Sequence, residues 1–230
     1  MPPQGQGKSL KHYALAEDGF DYAVKTLKDH PMIPVSEWFC YQIAQSVALS
    51  CPNCVVLKMH DGSRAFGSRI ETGLSLMKDA IAGTDPADYL ASCADRMCVA
   101  YAMDLFVANI DRHFGNFLFG TNGLGLRTVM PIDYGHAWRV GGWPLKDIIN
   151  KSCPTTNHIE ILRGMGLWRP SSALTALGTI SQIPADRIEL WLSDVPSSWL
   201  ASAQRAETIE WWSGDDFHSR VSKCVKHCKP

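Results

Sequence analysis

An α+β fold in two lobes is what this sequence predicts, with a small β-rich N-terminal lobe over residues 1–70 and a mainly helical C-terminal lobe over residues 71–230. Three observations carry that expectation. Up to about Ser68, short apolar segments flank the turn signals Asp18-Gly19 and Asp61-Gly62. From Asp85 onward, apolar residues recur every three or four positions, the period of an amphipathic helix. With 46% apolar residues in a chain of 230, there is enough material to bury a full core.

The elements follow in order. Tyr13, Leu15, Phe20, Tyr22 and Val24 surround Asp18-Gly19, so Lys11 to about Leu27 reads as a β-hairpin with Lys25 on its outgoing strand. Past Pro31 and Pro34, a helix is expected from Ser36 to Leu49, with Ser36 as N-cap and Glu37 in the first turn. Cys54–Lys58 and Ser63–Ser68 read as two further strands. Asp85-Pro86 pairs an N-cap with proline at the first helical position and opens a helix of about 24 residues running to Asn109. Phe117–Phe119 and Thr128–Ile132 flank Thr121-Asn-Gly-Leu-Gly125 and form a hairpin. The chain is then irregular to about Cys153, and helices start near Asn157, Ser171, Pro184 and Asp215. Trp191, Trp199, Trp211 and Trp212 are expected to anchor their packing.

Composition narrows the function. The 22 basic and 23 acidic side chains nearly cancel and are interspersed, which excludes a whole-molecule attraction to nucleic acid or anionic membrane. No run approaches the roughly 18 apolar residues of a membrane span, and the polar start MPPQGQGKSLKH has no signal-peptide core. A soluble, cytoplasmic protein with no membrane or direct nucleic-acid partner is expected. Eight cysteines in a chain of this length, several in apolar helical stretches, read as free thiols. Cys51-Pro-Asn-Cys54 and Cys224 with His227 and Cys228 have zinc-like spacing, but it is permissive.

The chemistry concentrates around the second hairpin. Asn116, at the start of one strand, and Asp133, at the end of its return partner, should lie side by side. An amide oxygen and a carboxylate there form a hard-oxygen pair suited to Mg²⁺. Asp111 precedes Asn116 by five residues, in a loop leaving a buried helix, and Asp-x-x-x-x-Asn is the catalytic-loop spacing of kinases.

The strings Ile110-Asp111-Arg-His-Phe-Gly-Asn116 and Pro131-Ile132-Asp133-Tyr134-Gly135-His136 resemble the kinase catalytic loop followed by a metal-binding Asp-Phe-Gly segment, with tyrosine for phenylalanine. Their wording is similar to that of the phosphatidylinositol kinases and of the bacterial HipA-like kinases. The compact chain favours the latter. That resemblance implies a protein-kinase-like fold with ATP between the lobes and Mg²⁺ on Asn116 and Asp133. Asp111 would orient the attacking hydroxyl, Lys25 would bind the α- and β-phosphates, and Glu37 would hold Lys25. It places the adenine-contacting lobe connection in Arg64–Glu71. It also implies a Ser/Thr acceptor on a protein substrate and, by analogy, a separate antitoxin or regulatory partner.

The sequence departs from the usual kinase pattern in having no Gly-x-Gly-x-x-Gly loop before Lys25; Gly5-Gln-Gly7-Lys8-Ser9 is its nearest glycine-rich piece. Past Tyr134, hydroxyl side chains first appear at Ser152, Thr155 and Thr156, so control by phosphorylation of that segment is doubtful. Ser9 is the first candidate for self-phosphorylation. A lipid kinase and a catalytically silent, kinase-shaped nucleotide-binding module stand as alternatives, with a zinc-dependent nucleic-acid binder behind them.

Overall fold

The computed structural model describes residues 12–80, 85–121, 124–150 and 152–230. Gly5–Ser9, Lys11 and the Asn122-Gly123 turn, all used in the reading above, lie outside them.

Strands β1 (His12–Leu15), β2 (Asp21–Lys25), β3 (Cys54–Lys58) and β4 (Arg64–Arg69) form an antiparallel sheet in the order β1-β2-β4-β3. Both tight turns are closed by aspartate. Asp18 accepts from the Phe20 N–H (3.1 Å) and the Tyr22 hydroxyl (2.8 Å), while Asp61 accepts from the Ser63 N–H (2.9 Å) and hydroxyl (2.6 Å). The period-two pattern of β2 sorts its side chains. Tyr22 and Val24 are buried with Ala65 in a small outer cluster, whereas Lys25 lies opposite Phe66, which belongs to the main core. Lys25 therefore faces the rest of the molecule.

Helix α1 spans Ile33–Ser46. It starts three residues before the expected Ser36, because Pro34 suits a first helical turn and Met32 takes the cap position with no side-chain bond. Ser36 is not an N-cap. Its buried hydroxyl donates to the carbonyls of Ala137 (2.8 Å) and Tyr134 (3.0 Å). Glu37 falls in the second turn and is buried. The helix stops at Ser46, short of the expected Leu49, as Ala48 turns to φ +54°.

A correction also falls on Arg64–Glu71. Arg64–Arg69 is an inner strand of the sheet, paired on both sides, so the chain leaves the sheet only from Ile70 onward. A two-residue strand, β5 (Ser75–Leu76), and a single helical turn, α2 (Met77–Ala80), follow. Neither was legible, since β5 is defined by its pairing and not by its own pattern.

Helix α3 (Pro86–Phe106) is capped by Asp85, which accepts from the Ala87 N–H at 2.9 Å. It ends before the expected Asn109, where Ala108 adopts φ +55°. Strands β6 (Phe117–Thr121) and β7 (Arg127–Pro131) pair antiparallel with Phe117 opposite Pro131, and β5 adds to β6. Among the described residues, the segment from Asp133 to Asn150 is irregular apart from one 3₁₀ turn at Trp138–Gly141. Helices α4 (Pro154–Gly164), α5 (Pro170–Ser181), α6 (Ala185–Ser193), α7 (Ser202–Trp212) and α8 (Asp215–Cys228) complete the chain. The start of α4 precedes expectation by three residues, again at a proline. α7 had been missed because only Thr208 and Trp212 of its side chains are buried.

The core is continuous from α1 to α8. Phe39 stacks on Trp138 (4.4 Å between centroids), Trp212 meets Phe39, Phe106 and Phe217, and Trp191 closes the group. Two indoles bridge distant parts: Trp199 donates to the Arg64 carbonyl (3.2 Å) and Trp38 to that of Trp191 (3.1 Å). All eight cysteines are free, and among the described residues no group of three or more His, Cys, Asp or Glu side chains is placed to hold a metal ion. No described helix is long and apolar enough to cross a membrane.

One glycine in this frame is required by close approach. A Cβ on Gly120 would lie 2.7 Å from the Gly73 carbonyl oxygen and collide with Leu74. Gly120 is fixed by its pairing with Thr128, and Gly73 sits in the turn that leads into β5, so the approach cannot yield cheaply. Gly120→Ala is expected to lower unfolding stability by about 1–3 kcal/mol, read as a lower urea midpoint at unchanged slope; an unchanged midpoint would refute the packing.

Candidate active site

The site is built on the second hairpin. Because Phe117 pairs with Pro131, the residues just outside the ladder are neighbours, and the Ile132 N–H donates to the Asn116 carbonyl at 3.0 Å. Asn116 and Asp133 thus leave the same end of the ribbon. Asp133 has φ +64°, a conformation that aspartate tolerates better than most residues and that turns the chain sharply into Tyr134-Gly135.

Lys25 crosses to this hairpin from the small sheet. Its ammonium donates to Asp133 Oδ1 (2.6 Å) and to Glu37 Oε1, and Glu37 Oε1 also accepts from the Tyr134 N–H (2.9 Å). The Gly135 N–H donates to Asp133 Oδ1 (3.1 Å). A Cβ on Gly135 would sit 3.0 Å from that oxygen and 3.3 Å from the Lys25 nitrogen, so the cluster needs a glycine there. Strand, helix and hairpin meet on one ammonium.

The charges respond to this packing. Burial opposes the charge on Lys25, but the two carboxylates outweigh it and hold the amine above its ordinary range. Burial likewise raises Glu37, and Asp133 nearby adds to the rise that Lys25 opposes. For Asp133, burial is overcome by the Lys25 ammonium, which holds the carboxyl at about 2.

Arg112, whose role the sequence left undecided, is the largest surprise. It is completely buried. Nε and Nη2 fork onto the carboxylate of Asp104 in α3 (2.6 and 3.2 Å), Nη1 donates to the Asn116 carbonyl (2.7 Å) and the Ile132 carbonyl, and the guanidinium lies over Phe117 and Tyr134. Burial works against its charge, but Asp104 outweighs it and raises the pKa further. One side chain thereby fixes both strands' ends against α3. Its period-breaking charge in a loop was the only sequence signal.

Asp111 occupies the turn between α3 and Asn116. Its N–H donates to Asn109 Oδ1 (3.3 Å) and its carbonyl accepts from Asn116 Nδ2 (2.9 Å). Among the described residues, no hydrogen bond or ion pair engages its carboxylate, and the residue lines a cavity of about 520 Å³ together with His136, Lys146, Asn150 and Ser152. His113 caps the 3₁₀ turn at Phe114–Asn116 by accepting from the Gly115 N–H (3.0 Å). Of the possible hydroxyl acceptors, Thr155 and Thr156 are buried and engaged, and Ser152 is exposed. The structure thus joins Lys25, Glu37 and Asp133 directly, sets Asn116 beside them, and bonds Asn116 to the Asp111 loop.

No protein-family model matches the chain, and no curated protein sequence matches it. Among solved structures, the chain is similar to the Helicobacter pylori proinflammatory kinase CtkA, with a TM-score of 0.58 at 14% identity over 94% of this chain and 93% of that one. It is also similar to HipA of Shewanella oneidensis MR-1, solved with HipB and operator DNA, with a TM-score of 0.52 at 13% identity. There the match covers 90% of this chain and 57% of the other. At these identities the likeness shows a shared fold, that of CtkA and of HipA.

Asp133 ionises at lower pH in the folded protein than its ordinary 3.8. Its contribution is therefore complete above pH ~4 and is lost as pH falls towards 2, an effect on the order of 2 kcal/mol. Urea unfolding of wild type and Asp133→Asn across pH 6 to about 2.5 is expected to show a shallower acid decline for the variant. Equal declines would mean that the Lys25 pair does not hold this carboxylate.

Proposed function

We propose that this chain, having the HipA-like kinase fold, is an ATP- and Mg²⁺-dependent phosphotransferase whose acceptor is a Ser or Thr hydroxyl on a protein. The observation that carries the reading is the meeting of Lys25, Glu37 and Asp133 at the hairpin end that also presents Asn116. The donor set fits the proposed ligands. Asp133 Oδ2 and the Asn116 amide oxygen have no hydrogen bond among the described residues, and both are hard oxygens of the kind Mg²⁺ prefers. The Lys25 ammonium, lying against a glycine, is a point charge suited to polyphosphate.

In this reading Lys25, steadied by Glu37, binds the α- and β-phosphates, and Asp133 with Asn116 holds the metal. Bound there, magnesium-ATP would supply the γ-phosphoryl group, leaving ADP, and the metal would offset negative charge on the phosphates. Asp111 orients the acceptor hydroxyl and takes its proton, its carboxylate being free to do so. Most of the rate enhancement comes from positioning and electrostatics, and no covalent enzyme intermediate is needed. The HipB-bound neighbour supports a separate regulatory protein as partner, and the nearly neutral, interspersed charge supports a protein that does not itself bind nucleic acid.

With labelled ATP and Mg²⁺, Asp111→Ala is expected to lower transfer by about 100- to 10,000-fold while sparing nucleotide affinity. Asp133→Ala should weaken magnesium-nucleotide binding as well. Transfer by Asp111→Ala equal to wild type would defeat the assignment. Nucleotide binding by the wild type with no labelling of proteins or of itself would leave a binding module.

A further inference from the structure

We infer that Thr155 is a positioning residue for Asp111, acting through the backbone on both sides of it. The inference deepens the proposed function and rests on it. Thr155, the second residue of α4, is wholly buried. Its hydroxyl donates to the Asn109 carbonyl and accepts from the Arg112 N–H at 3.0 Å. A single oxygen so closes the loop Asn109-Ile110-Asp111-Arg112 at both ends, with donor and acceptor capacity both in use.

Asp104 of α3 also grips both flanks, its carboxylate accepting from Asn109 Nδ2 (2.8 Å) and Arg112 Nε (2.6 Å), but it does so through their side chains. The other restraints on the main chain of this loop are longer or local. Ile110 N–H reaches the His136 carbonyl at 3.4 Å, the Cys153 thiol reaches the Ile110 carbonyl at 3.6 Å, and the Asp111 N–H reaches Asn109 Oδ1 at 3.3 Å. Bonds of that length hold direction weakly. The Asn116 amide bond to the Asp111 carbonyl is short, at 2.9 Å, but it comes from five residues away within the same turn. Among the described residues, Thr155 is the side chain outside α3 and the loop itself that brings a close hydrogen bond to the main chain of each flank.

Position matters here because nothing else aims the carboxylate. No side chain among the described residues bonds it, so its direction is set by the backbone that carries it. Removing the hydroxyl leaves an N–H and a carbonyl unpaired in a dry interior, and the loop must shift to recover partners. Both hairpin ends keep their bonds to the Arg112 guanidinium, which Thr155 meets only at the main-chain N–H, and Lys25 keeps its bonds to Glu37 and Asp133. Loss of the hydroxyl therefore separates hydroxyl orientation from nucleotide binding.

The test compares Thr155→Val, which keeps the shape without the hydroxyl, with Thr155→Ser, which keeps the hydroxyl. Each variant is measured for thermal unfolding, for magnesium-ATP affinity by calorimetry, and for transfer of labelled phosphate to casein and to its own side chains. Thr155→Val is expected to bind nucleotide within about twofold of wild type while kcat falls about 10- to 100-fold and KM for ATP barely moves. Thr155→Ser should recover most of the rate. Wild-type kcat in the valine variant overturns the inference, as does a loss in which nucleotide binding and folding fall in step with transfer, or a serine variant no better than valine. A wild type that binds ATP and transfers nothing overturns the proposed function and this inference together, whereas the other outcomes leave that function standing.

Discussion

A charge sealed from water sets the geometry of everything around it. Arg112 is wholly buried, and so is Asp104, its partner. Removing one member of such a pair strands the other and costs about 3–5 kcal/mol, whereas an exposed pair such as Arg163 with Glu160 is worth about 0–1 kcal/mol. The guanidinium is therefore held to one arrangement, and its remaining N–H groups can be satisfied only by the Asn116 and Ile132 carbonyls. α3, the loop after it and both ends of the hairpin inherit their relative placement from that single requirement.

Against this rigid side stands a cluster with surplus negative charge. Two carboxylates share the Lys25 ammonium, and burial has already raised Glu37. A further cation beside Asp133 would relieve the imbalance, which is the electrostatic logic behind the proposed Mg²⁺ site. The chain as a whole is nearly neutral, so the field that selects a ligand is local and survives salt better than a surface patch would.

Much of this was legible from residue order. The hairpin of β6 and β7 is written in its turn residues and alternation, and its closure is what makes Asn116 and Asp133 neighbours. The same reading put Lys25 on the outgoing strand of the first hairpin, while the face it takes emerged only from its pairing opposite Phe66. Helix starts went wrong where proline opened the helix: Pro34 and Pro154 each moved a boundary by three residues, and with it Ser36 and Thr155 changed from caps or exposed hydroxyls into buried connectors. Contacts such as Ser36 to Ala137, Thr155 to Asn109 and Arg112 to Asp104 join elements whose own patterns carry no trace of the partner. β5 escaped for the same reason, since two residues cannot announce a strand until another lies beside them.

The hydroxyl of Ser36 has a mechanical consequence. It clasps the carbonyls of Tyr134 and Ala137, while the adjacent Glu37 accepts the Tyr134 N–H. α1 and the stretch behind Asp133 are in that way laced into a single rigid body, independent of any ligand. Swinging the small sheet relative to the helices must then bend the three connections between them, residues 26–32, 47–53 and 70–74. Any lever that tilts α1 carries Asp133 with it.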